Sequence, residues 1–116
     1  MVLYGDVKHK NVIIVDDILD TATTACGACE ILKQNGCRDI FMIACHGIFS
    51  GNALENIKNS GFKKIAVTNT LCQERHSTKI TRYQMEHIID IIDISKMCSE
   101  AIRSSFYGQP LNFNIR

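Results

Sequence analysis

Short runs of apolar, often β-branched residues alternate with segments of helical spacing along the chain, and this alternation constrains the fold more than any other feature. Val12-Ile-Ile-Val15 opens the series, and its unbroken apolar character is that of a strand covered on both faces. From about Ala22 to Asn35 the spacing turns helical, with Ala25, Ala28, Cys29 and Leu32 on one face and Gly36 as the left-handed residue that ends the helix. Ile40 to Cys45 reads as a second buried strand. Ser50-Gly-Asn52 opens a short helix carrying Leu54 and Ile57, and Gly61 closes the turn behind it. Ile65–Thr68 and Ile88–Ile92 supply two more strands, and Ser95 is placed to cap a last helix that faces Met97, Cys98, Ala101 and Ile102 inward. Strands separated by helices require crossover connections. The expected class is α/β, a three-layer α/β/α arrangement around a mainly parallel sheet. Such a sheet wants helices on both faces, and this chain has material for only a thin core, so residues 1–116 are read as one partial domain.

Between the first strand and the first helix lies Asp16-Asp17-Ile-Leu-Asp20-Thr21-Ala22-Thr23-Thr24. In open α/β sheets ligands bind at the carboxyl ends of the strands, where this loop falls. The helix beyond it presents unpaired backbone N–H groups and a positive dipole end, and the hydroxyls of Thr21, Thr23 and Thr24 add donors, which together cradle one phosphate group. Carboxylates repel bare phosphate, so Asp16, Asp17 and Asp20 make sense only if they accept hydrogen bonds from sugar hydroxyls or bind a divalent cation nearby. A sugar phosphate satisfies both halves of the loop. The plainer alternative, Asp20 or Thr21 as a simple helix cap, explains one carboxylate and leaves two. Neither G-x-x-x-x-G-K-[ST] nor G-x-G-x-x-G occurs.

Charge and cysteine usage narrow the function classes. With 13 basic and 12 acidic side chains the formal charge is +1, which gives no long-range attraction to a nucleic-acid backbone. The longest apolar runs are about five residues, against the ~20 that span a bilayer, and the start of the chain is no signal peptide. No nucleic acid, no membrane and a cytoplasmic location are therefore expected. Six cysteines at 26, 29, 37, 45, 72 and 98 raise the question of disulfides or metal. Without a secretory context, and with Cys26-Gly-Ala-Cys29 a turn inside a helix and no second ligand pair, they read as free, buried or half-buried thiols and the metal set as none.

The stretch Leu71–His87 is polar and irregular, too long for a routine connection, and reads as a functional excursion or mobile loop. Within it His76, Arg75, Lys79 and Arg82 are expected to face solvent, as are His87 and His9. His46 is expected to be a structural histidine bonded to backbone, with Gly47 making the turn. Phe106 and Tyr107 are read as packing residues.

The segment VIIVDDILDTATT at 12–24 resembles the ribose-phosphate signature of the type I phosphoribosyltransferase fold. MVLYGDVK before it, HGIFSGNA at 46–53, VTNT at 67–70, IDIS at 92–95 and SEAIR at 99–103 are similar to the C-terminal part of the ribose-phosphate pyrophosphokinase family. That resemblance implies transfer of the β,γ-diphosphoryl group of ATP to the C1 hydroxyl of ribose 5-phosphate, with Mg²⁺ as cofactor and 5-phosphoribosyl 1-diphosphate as product for nucleotide biosynthesis. It implies that Asp16 and Asp17 hold the ribose hydroxyls and that Asp20, Thr21, Ala22, Thr23 and Thr24 wrap the 5-phosphate; the catalytic residues are left unknown. It implies assembly as a homo-oligomer or with full-length family subunits. Family members are far longer, and their adenine pocket, pyrophosphate-binding loop and basic catalytic loop precede the region matched, so the chain by itself is expected to be inactive. Three departures stand out: Thr23 where the family has glycine, a longer Leu71–His87 segment, and the ending Asn112-Phe-Asn-Ile-Arg116. A non-catalytic regulatory or assembly subunit, and a phosphoribosyltransferase acting on a nucleobase, are the alternatives.

Overall fold

The computed structural model describes residues 1–112. Eight elements alternate: β1 (Val12–Leu19), α1 (Thr23–Gln34), β2 (Ile40–Gly47), α2 (Ala53–Lys58), β3 (Phe62–Thr68), α3 (Glu74–Arg82), β4 (Ile89–Ile92) and α4 (Ser95–Phe106). Among the described residues the three strand pairings are parallel and the strand order follows the chain, β1-β2-β3-β4; an isolated antiparallel bridge joins His46 to Asn69 beyond the strand ends. The α/β class with a parallel sheet is as expected.

The order fixes where the core lies. Crossovers between parallel strands are right-handed, and three that step the same way place α1, α2 and α3 on the same face of the sheet. Ile40, Met42, Ala44, Ile65, Val67 and Ile89 point to that face and are buried against Cys29 and Leu32 of α1, Leu54 and Ile57 of α2, and Ile80 of α3. Burying one such aliphatic side chain stabilises by about 1.5–3 kcal/mol. On the opposite face Ile13 is 59% and Val15 75% exposed, and Ile43 is 43% exposed. The reading of Val12–Val15 as covered on both faces therefore fails. The run is an edge strand at one end of a one-directional sheet, and what its β-branched residues reported was strand propensity rather than double burial.

Helix ends differ from expectation in instructive ways. Gly36 does take the left-handed conformation, φ 78°, after α1. Ser95 is not the cap of α4 but its first residue; the Asp93 carboxylate accepts its backbone N–H at 2.8 Å. Met97 (39%) and Ile102 (70%) of α4 are exposed and only Ser104 is buried there. Phe106 and Tyr107 lie edge to face, 5.0 Å between ring centroids, and both are exposed rather than packed inward.

The segment read as an irregular excursion contains α3. Its inward positions, His76 and Ile80, are spaced i, i+4, and Gln73 and Met85 just outside the helix are buried with them. His76 is 9% exposed, not solvent-facing. Its Nε2 accepts the Arg75 Nε–H at 3.1 Å, its ring stands edge to face with Phe49, and Arg75 also donates to the Ile48 carbonyl at 3.3 Å. His87, Lys79 and Arg82 are exposed as expected. The final residues 113–116 of the departure at the C-terminus lie outside the described residues.

Candidate sugar-phosphate site

β1 runs four residues past Val15, so Asp16 and Asp17 belong to the strand and only Asp20–Ala22 form the loop. The loop is held from behind. The Leu19 carbonyl accepts the backbone N–H groups of Ile48 (2.9 Å) and Phe49 (3.2 Å), which ties β1 to the turn after β2. Gly47 is required in that turn, because a Cβ on it would come within 2.7 Å of the Phe49 ring and 3.0 Å of Val67. On the other flank Asn56 of α2 donates from Nδ2 to the Thr21 carbonyl at 3.2 Å.

Ala22 then takes a left-handed conformation, φ 64° and ψ 5°, and α1 begins at Thr23 without any side-chain cap. The plain capping alternative for Asp20 and Thr21 is thereby excluded. The first backbone bond of the helix runs from Cys26 N–H to Ala22 O at 2.8 Å, so the amides of Thr23, Thr24 and Ala25 stand before the first intrahelical donor. A residue in αL followed by helical residues turns successive N–H groups toward one point, an arrangement that favours anions, and the dipole of a 12-residue helix adds to it. Thr23, where the family has glycine, is helical and bears no strained backbone; the positive φ is carried by Ala22, buried at 4% exposure.

A cavity of about 200 Å³ lies in front of these groups, lined by Asp16, Asp20, Thr21, Ala22, Thr23 and Thr24, with Met42 among the residues at its floor. Six of the seven residues expected from the sequence are thus brought together. Asp17 is not. Strand alternation sends it to the other face of the sheet, and its Oδ1 accepts the Ile18 N–H at 2.8 Å. Thr21 and Thr23 hydroxyls approach each other at 3.3 Å on the same rim. Leu19, Ile48 and Asn56 were not singled out from the sequence. Two of them act through backbone atoms, which leave no side-chain signal, and Asn56 reads there as an ordinary helical polar residue.

Other features of the molecule are less suited to an anion. A larger cleft of about 670 Å³ between α1 and α2 is lined by Cys26, Glu30, Lys33, Asn59 and Ser60. It lies along the flanks of α1 and beside the C-terminal end of α2, with Glu30 in its wall, rather than at the carboxyl ends of the strands. The six cysteines are free, as expected, though Cys45, Cys72 and Cys98 are exposed rather than buried. Burial pushes the Cys26 and Cys29 thiols above their usual range, each raised further by a neighbouring cysteine, so the pair is held protonated and suits packing better than redox chemistry. His46 is half-buried, and its Nδ1 pairs with the Thr70 hydroxyl at 2.7 Å rather than with backbone. Among the described residues no group of three His, Cys, Asp or Glu is placed to hold a metal ion, and no helix is long and apolar enough to cross a membrane.

Comparison with known proteins bears on this geometry. The model of the family described as "phosphoribosyl synthetase-associated domain" matches residues 1–116. The chain belongs to that family. In fold this chain is similar to the crystal structure of phosphoribosylpyrophosphate synthetase from Mycobacterium smegmatis, with a TM-score of 0.79 and 30% sequence identity over 90% of its length. The match covers 33% of the Mycobacterium smegmatis chain, so this chain spans about a third of its relative's length. The resemblance noted in the sequence is borne out at the level of the family.

Proposed function

We propose that this chain is the ribose 5-phosphate-binding segment of a ribose-phosphate diphosphokinase, corresponding to the C-terminal part of that enzyme. The observation that carries the reading is the uncapped start of α1, with its amides before the first intrahelical bond and a cavity in front lined by two carboxylates and three hydroxyls. In this reading the amides and hydroxyls of Thr21–Thr24 bind the 5-phosphate, Asp16 accepts the ribose hydroxyls from within the cavity, and Asp20 stands beside the sugar. Asp17 has the same task by family resemblance, from the less favourable strand face. Diphosphoryl transfer is mostly a matter of positioning and charge neutralisation, and this segment positions the acceptor. ATP would be bound by the remainder of the enzyme. Asp16 and Asp20 are hard oxygen donors, but they build no dedicated cage, so Mg²⁺ fits here as an ion accompanying the nucleotide phosphates, whose charge it neutralises. Six free thiols suit a reducing compartment, the cytoplasm.

Ribose 5-phosphate at 100 times its dissociation constant is expected to raise stability by ~2.7 kcal/mol, with no comparable rise from a free nucleobase. Asp20→Asn combined with Thr24→Ala removes that rise; a rise left intact by both changes disproves the loop assignment. A second reading, a non-catalytic assembly subunit for full-length relatives or further copies, is favoured by the open apolar face around Ile13 and Val15. The chain mixed with ATP, Mg²⁺ and ribose 5-phosphate separates the two: with or without full-length subunits, AMP release that depends on Asp16 and Asp20 identifies a working acceptor site.

A further inference from the structure

The loop between β1 and α1, to which the phosphate is assigned above, has no side-chain cap and includes a non-glycine residue at φ 64°. Something outside the loop must hold that conformation. The Leu19 bonds to Ile48 and Phe49 fix its entrance, and α1 fixes its exit. Between them, among the described residues, one side-chain bond reaches the loop from another element, Asn56 Nδ2 to the Thr21 carbonyl.

The peptide that joins Thr21 to Ala22 is trans. In a trans peptide the C=O and the following N–H point in opposite directions within one rigid plane. Drawing the Thr21 carbonyl toward α2 therefore aims the Ala22 N–H away from α2, and the αL turn at Ala22 passes that orientation on to Thr23. Asn56 is itself well fixed. It is half-buried, its backbone N–H donates to Asn52 O at 2.8 Å, and Leu54 and Ile57 beside it are buried in the core.

We infer that Asn56 is a positioning residue for the sugar-phosphate loop: its amide presets the Thr21–Ala22 peptide so that the loop amides face the ligand before it arrives. This rests on the function proposed above for the loop, but its first test does not. In the unliganded protein, ¹⁵N relaxation of Ala22, Thr23 and Thr24 reads the order of their N–H vectors. The wild type is expected near the rigid-backbone value of about 0.85, Asn56→Ala near the flexible range below about 0.6, and Asn56→Gln, which keeps an amide donor, in between. The melting temperature of Asn56→Ala should stay that of the wild type, since alanine is the better helix former. Unchanged order in Asn56→Ala overturns the inference. The second test is affinity: the dissociation constant for ribose 5-phosphate is expected to rise about fivefold to tenfold in Asn56→Ala, in line with loss of one hydrogen bond, and to recover in part in Asn56→Gln. A loosened loop that binds as tightly as before also overturns it. A wild-type protein that fails to bind ribose 5-phosphate defeats the proposed function, while the relaxation measurement still decides whether Asn56 holds the loop.

Discussion

Two adjacent aspartates in one strand have unequal positions. Asp16 lines the cavity and Asp17 does not, although each carboxylate accepts the backbone N–H of the next residue, Asp17 at 2.9 Å and Ile18 at 2.8 Å. A hydrogen bond to a carboxylate contributes about 1.5–3 kcal/mol, so Asp16→Asn should weaken ribose 5-phosphate binding by about tenfold or more and Asp17→Asn by clearly less. Titration calorimetry of the two variants checks this; equal losses would mean that the sugar straddles the strand. His76 carries a different consequence. Burial first, then the Arg75 guanidinium, push its pKa below the ordinary histidine range, against a smaller upward pull from the Ile48 carbonyl. A histidine whose folded pKa lies below its unfolded value of about 6.5 takes up its proton more readily when unfolded. Its contribution is intact above that pH and is lost as pH falls through the interval between the two values. Urea midpoints should therefore drop below about pH 6.5 in the wild type and drop less in His76→Gln.

At the scale of elements, the join between β3 and α4 depends on a small polar clamp. Asn69 donates from Nδ2 to Asp93 Oδ1 at 2.9 Å and accepts the Ile94 N–H at 3.0 Å, while Asp93 also takes the Ser95 N–H. The Ser95 hydroxyl and amide, followed by Asn69, hold the Asp93 carboxyl below its usual range. The associated stabilisation is present above the ordinary carboxylate pKa of about 3.9 and disappears as pH falls through the lowered value. Asn69→Ala should speed hydrogen exchange at Ile94 and Ser95 and shift the acid loss upward in pH; unchanged exchange would show the clamp to be incidental. The same scale explains why α3 was not legible in the sequence. Its buried positions number only two, His76 and Ile80, one turn apart among charged residues. One of the two is the polar histidine, so no apolar period is set up, whereas the inward residues of α1, Ala25, Ala28, Cys29 and Leu32, repeat over about two turns.

For the whole molecule the controlling fact is that strand order follows chain order, which puts α1, α2 and α3 on one face and leaves Ile13, Val15 and Ile43 exposed on the other. The described chain is correspondingly extended, 52 × 36 × 23 Å, with a radius of gyration of 16.6 Å against about 13 Å for a compact domain of this length. The two faces predict opposite mutational behaviour. Val15→Lys on the open side should change stability by no more than about 0.5 kcal/mol. Val67→Ala, at 0% exposure, should destabilise by roughly 1–3 kcal/mol through lost burial and a cavity. Chemical denaturation of both variants measures the difference, and a large loss from Val15→Lys would mean that the face is covered.

Local rules were enough to identify the strands, the helix from Thr23 to Gln34, its glycine terminator and the acidic, hydroxyl-rich loop, because propensity, periodicity and capping act within a few residues. Those same rules could not decide which face of a strand is covered, where Asp17 points relative to Asp16, that the left-handed residue is Ala22 rather than Thr23, or that Asn56 reaches back over 35 residues to Thr21. Each of these depends on strand order and on contacts between segments far apart in the chain, which only the assembled sheet brings together.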